Sequence, residues 1–112
     1  SVAPAAPGAR AFGAGVGFRS HARHAEHFAK HGAEFGVGSA ADYLRLAQAL
    51  RDRAAGGDVL EAVRADGVVT RFDRGSGAFV AFDADGTLRT FFKPNEGERY
   101  FRRQAARPAD AP

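Results

Sequence analysis

The chain has 112 residues, a formal net charge of +3 and a sequence pI near 9.9, which suits one domain with a single modest core. Its lack of cysteine excludes disulfides, thiolate catalysis and thiolate zinc sites. No apolar run approaches the ~18 residues of a membrane span, and no basic-then-apolar secretion signal is present.

Residues 1–17 are Ala, Gly and Pro with little to bury and read as a linker, which leaves a domain at 18–108 and a frayed tail at 109–112. With no methionine at its start, the chain is expected to follow a processing point or to belong to a larger parent. Ser20 is a good N-cap for a first helix running through His21 to Phe35, weakened by Gly32 and stopped by Gly36. Ser39 and Asp42 open a second helix, with Tyr43, Leu44, Leu46, Ala47 and Leu50 at helical spacing, that ends at Gly56-Gly57.

From Val59 the pattern changes to strands. Val59 to Arg64 reads as a short strand or an irregular entry. Three strands follow at 67–72, 78–82 and 87–92, joined by turn chemistry at 73–77 and 83–86. Tyr100 to Arg107 reads as a short helix or an edge segment. The expected fold is α+β, with two N-terminal helices packed on one face of an antiparallel β-meander.

The candidate chemistry is concentrated in two short runs, Lys30-His31-Gly32-Ala33-Glu34-Phe35-Gly36 and Arg89-Thr90-Phe91-Phe92-Lys93-Pro94. An imidazole titrating near neutral pH serves as general acid or base, and ammonium or guanidinium groups stabilise charge that develops on phosphorus. His24, His27 and His31 fall within about 60° on a helical wheel and so share one face. His21 and His24 read more simply as exposed helix histidines. Lys30 and Lys93 are the two lysines of a chain with fourteen arginines, which suggests a compact ammonium at those positions. Strand alternation puts Thr90 on the side of Leu88 and Phe92, and Arg89 with Phe91 on the other. His27 and His31 have the i, i+4 spacing of a helical metal-ligand pair, with Glu34 or His24 as a third donor. No distant His or Cys completes a shell, so neither metal nor cofactor is expected.

These runs resemble the catalytic domain of colicin D and its relatives among the C-terminal toxin domains of contact-dependent growth inhibition and other polymorphic toxin systems, in the barnase/EndoU/colicin/RelE-like superfamily. Lys30-His31-x-x-Glu34-Phe35-Gly36 resembles that group's K-H-x-x-D/E-F-G signature, and Thr90-Phe91-Phe92-Lys93 its late-strand S/T-x-aromatic-K element. The likeness spans roughly residues 24 to 104 through scattered motifs. It implies a metal-independent tRNA endonuclease with the substrate on the exposed sheet face and helix edge. It also implies His31 as general base or acid, Lys30 and Lys93 as phosphorane-stabilising cations, and Thr90 as a hydroxyl on the scissile phosphate. Phe92 stands where a colicin D-like site carries a larger indole. His27, Glu34 and Arg71 are added to the catalytic set from face geometry and charge, and Arg89, Arg102 and Arg103 as RNA-binding cations. The resemblance further implies an acidic cognate immunity protein, a larger delivery protein N-terminal to this domain, and action in the cytoplasm of a target cell. Two other readings of the same residues are a RelE-like nuclease that cuts ribosome-bound mRNA and a non-catalytic basic module that binds RNA or protein.

Overall fold

The structure is a computed structural model that describes residues 12–107. Most of the expected linker and the tail from 109 lie outside the described residues. The order is α1 (His21–His31), a 3-10 turn (Gly32–Phe35), α2 (Ala40–Asp52), β1 (Val59–Val63), β2 (Val69–Asp73), β3 (Ala78–Phe82), β4 (Leu88–Phe92) and α3 (Glu98–Ala105). The domain is therefore α+β. Among the described residues, no helix is long and apolar enough to cross a membrane.

Both long helices begin where a serine can satisfy free backbone donors. Ser20 and Ser39 are extended, and their hydroxyls accept from the N–H groups of Arg23 at 3.2 Å and Asp42 at 3.1 Å. The Asp42 carboxylate pairs with Arg45. Gly32 does more than weaken α1. A Cβ there would come within 2.6 Å of the Phe28 ring, so its absence lets that ring lie against the helix end. The chain tightens into the 3-10 turn and closes at Gly36 in the left-handed region, φ +68°. α2 stops at Asp52, short of the Gly56-Gly57 pair.

The sheet is a four-strand antiparallel meander, β1-β2-β3-β4. One face carries Val59, Ala78, Val80, Phe82, Leu88 and Phe91 and packs on Tyr43, Ala47 and Leu50 of α2. Tyr43 is wholly buried and donates its hydroxyl to the Phe91 carbonyl, while burial raises its pKa. The other face carries Phe72, Phe79 and Ala81 and packs on Phe101 of α3. The expectation that helices cover one face is thus corrected, because the C-terminal segment forms an amphipathic helix that covers part of the second.

A bulge in β4 changes the expected alternation. Phe82 pairs with Leu88 and Ala81 with Thr90, which leaves Arg89 as the extra residue. Leu88 consequently shares the α2 side with Phe91, while Thr90 and Phe92 lie on the other side. Arg89 is turned out to solvent.

Two arginines serve the core. Arg51 is fully buried and donates to the carbonyls of Gly13 (2.8 Å), Gly86 (3.0 Å) and Val16. Gln48 reaches Ala14 and Val16, and Phe12 packs edge-on against Phe82 at 5.9 Å. Residues 12–17 are therefore strapped onto the domain, and the expected linker is shortened at that end. Arg71 corrects a site expectation. It is fully buried, bonded to Glu61 at 2.8 Å and to the carbonyls of Leu50 (3.0 Å) and Arg53.

Candidate active-site cleft

A cleft of about 400 Å³ opens between one face of α1 and strand β4. Its lining is Arg23, Glu26, His27, Lys30, His31, Thr90 and Phe92. Helical periodicity aligns Arg23, His27, Lys30 and His31, and the sheet pleat presents Thr90 and Phe92 together. The structure thus gathers Lys30, His27, His31 and Thr90 of the expected set around one opening.

His31 is the most constrained of these. Its Nδ1 lies 2.7 Å from one carboxylate oxygen of Glu34, and the other oxygen accepts from the Lys93 backbone N–H at 2.8 Å. The same three-residue spacing that closes the 3-10 turn brings Glu34 under the ring. The ring also stacks on Phe92, with centroids 5.1 Å apart and planes 30° apart. In the neutral tautomer that donates from Nδ1 to the Glu34 carboxylate, Nε2 is left as the acceptor. No described residue hydrogen-bonds to Nε2. The side chain is 13% exposed, so the ring is held by protein on most sides and open on one.

His27 lies one turn back, its ring centroid 6.2 Å from that of His31 and 5.0 Å from Phe18. Burial, then the charge of His31, lowers its pKa below the usual histidine value. Its Nδ1 is buried without a hydrogen-bond partner among the described residues, which also favours a neutral ring. His24 is structural, since its Nε2 meets the Ala40 carbonyl at 2.8 Å and ties α1 to α2.

The remaining expected residues lie elsewhere. Lys93 follows Phe92, and alternation sends its side chain to the opposite face, where Nζ sits 5.3 Å above the Phe35 ring. That groove is lined by Phe35, Leu46, Leu50, Phe91 and Lys93, and is separate from the cleft. Lys93 therefore reaches the site by its backbone N–H. Arg89 bonds to Asp83 at 2.7 Å, beside α1's N-terminal end. Arg102 and Arg103 lie on α3 and pair with Glu98 and Glu96. Arg74 and Arg102 pull Glu98 down to about 2, which marks these guanidiniums as engaged in holding α3. Arg71 lies in the core. The helical pair His27 and His31 gains no third ligand, because no group of three or more His, Asp or Glu among the described residues is placed to hold a metal ion.

Sequence reasoning overlooked Arg23 and Glu26 as lining residues. The i, i+4 run from 23 through 27 to 31 carried the signal for Arg23. The grip of Glu34 on the Lys93 backbone left no such signal, because it joins residues 59 apart in the chain. Taken together, the cleft offers an oriented imidazole, a second imidazole whose pKa burial lowers, an ammonium, a hydroxyl and an aromatic floor. Searches against protein-family models and against curated proteins found no match to this chain.

Proposed function

We propose that this domain is a metal-independent endoribonuclease of the toxin type, acting on tRNA. The observation that carries this reading is the Glu34–His31 pair, with its Nδ1 contact at 2.7 Å, set in an opening shared with Lys30 and Thr90. His31 Nε2 takes the proton from a ribose 2′-hydroxyl, and Glu34 stabilises the imidazolium that results. The 2′-oxygen bonds to phosphorus, and the Lys30 ammonium and Thr90 hydroxyl bear on the charge of the phosphorane. The bond from phosphorus to the 5′-oxygen then breaks, and the departing oxygen is protonated by the His31 imidazolium, directly or through one water. The products are a 2′,3′-cyclic phosphate and a free 5′-hydroxyl. Phe92 gives a base an apolar surface on which to stack.

On this reading the domain belongs to the barnase/EndoU/colicin/RelE-like superfamily and is delivered by a larger protein into a target-cell cytoplasm in interbacterial competition. An acidic immunity protein covers the cleft in the producer, a match that the chain's charge of +3 favours electrostatically. The test is incubation of the pure protein with total tRNA in EDTA, alongside His31→Ala. Discrete fragments ending in 2′,3′-cyclic phosphate are expected with the intact protein alone. Intact tRNA in both samples sinks the reading, and cutting that needs added ribosomes moves the target to mRNA.

A further inference from the structure

A second opening of about 230 Å³ lies beside the cleft, lined by Phe18, Arg19, Arg23, Asp83, Thr87, Leu88 and Arg89. Arg23 lines both openings, and Phe18 stacks on His27 of the cleft, so the two adjoin. The fold brings three guanidiniums here by separate routes. Arg19 precedes the α1 cap, Arg23 sits on its first turn, and the β4 bulge turns Arg89 outward.

Within this lining Asp83 is the one carboxylate, and Asp85, in an adjoining opening, also feels the charge of Arg19. Asp83 takes the Arg89 Nε at 2.7 Å and lies 4.0 Å from Arg19. Arg23 stands 3.9 Å from Glu26, on the cleft side. Neither Arg19 nor Arg23 has its guanidinium in a hydrogen bond among the described residues, whereas Arg102 and Arg103 on α3 are bonded to carboxylates. The groove therefore holds positive charge and unused forked donors, a combination that matches phosphate oxygens.

We infer that this groove binds a phosphodiester of the RNA strand adjacent to the one in the cleft, with Arg19, Arg23 and Arg89 as its donors and Asp83 as the carboxylate that competes with phosphate for Arg89. The inference rests on the nuclease reading for the identity of the strand, and its test is kept apart from catalysis. The probe is a 2′-O-methyl RNA oligonucleotide, which lacks the nucleophilic hydroxyl and binds without being cut. Its affinity for the full chain is measured by fluorescence anisotropy across a salt series.

Arg19→Ala, a change at a side chain 74% exposed, is expected to weaken binding. It should also flatten the plot of log affinity against log salt by about 0.7, the slope that one neutralised phosphate contributes on a single strand. Arg19→Ala with Arg89→Ala is expected to weaken binding further, and Asp83→Asn to tighten it by releasing Arg89. Arg45→Ala, at an exposed arginine on α2, is expected to leave the slope unchanged. Equal effects from Arg45→Ala and Arg19→Ala overturn the site in favour of a diffuse positive field. An unchanged slope in the double variant, or weaker binding by Asp83→Asn, overturns it as well. Failure of unmodified RNA to be cut counts against the nuclease reading and leaves this binding result standing.

Discussion

Two glutamate-held side chains, His31 beside the edge strand β4 and Arg71 under α2, end in opposite roles. Glu34 engages one nitrogen of His31 and leaves the other facing a cleft. Glu61 engages Arg71, but the carbonyls of Leu50 and Arg53 take further donors and the side chain has no solvent exposure. A carboxylate partner does not by itself mark a reactive group. Arg71 Nη2 is likewise left without a partner among the described residues, but it is buried, so what matters is whether the unused direction opens to something a substrate can reach.

Removing each group separates the two roles. His31→Ala is expected to reduce RNA cleavage by about 10²–10⁴-fold, with thermal unfolding close to that of the parent. A large fall in melting temperature would mean that the ring is structural like Arg71. Arg71→Ala strands Glu61 in the interior and is expected to cost about 3–5 kcal/mol of stability. Urea denaturation measures this, and a loss under about 1 kcal/mol, the scale of an exposed ion pair, breaks the contrast from the other side.

Glu34→Gln sharpens the comparison within the cleft. The amide has one acceptor oxygen for the two donors that Glu34 serves, His31 Nδ1 and the Lys93 N–H, and no charge to stabilise an imidazolium, so cleavage is expected to fall by about tenfold or more while the substrate KM stays level. Unchanged turnover would reduce Glu34 to a backbone clamp for Lys93.

The smallest effect concerns His27. Its folded-state pKa lies below 6.5, so the unfolded chain binds more protons as the pH falls through that value. The stability of the neutral ring is fully present above pH 6.5 and is lost progressively as the pH drops toward the folded pKa. Melting curves from about pH 7.5 to 5, a range that brackets an ordinary histidine, should therefore fall more steeply for the parent than for His27→Gln. Parallel curves, or an NMR titration of His27 at or above 6.5, contradict the assignment.

Much of the cleft was legible because its parts are local. His27, Lys30, His31 and Glu34 sit within two turns, and helical spacing alone puts them together. Thr90 and Phe92 follow from strand alternation at the end of β4. The same rule takes the Lys93 side chain out of the cleft, since neighbours on a strand point apart, and motif resemblance alone had grouped it with Thr90. Arg71 is harder, because alternation gives two faces without saying which one α2 will cover. Arg51 and the strap at 12–17 depend on contacts across more than thirty residues, beyond any local pattern. The bulge at Arg89 was invisible for a related reason, because register is set jointly by two strands.

One carboxylate grips both the His31 ring and the first peptide beyond β4. A molecule that levers the Lys93-Pro94 segment away from the sheet therefore withdraws one anchor of the imidazole without entering the opening at all. The geometry of the imidazole is thus tied to a second surface, the one where Lys93 covers Phe35.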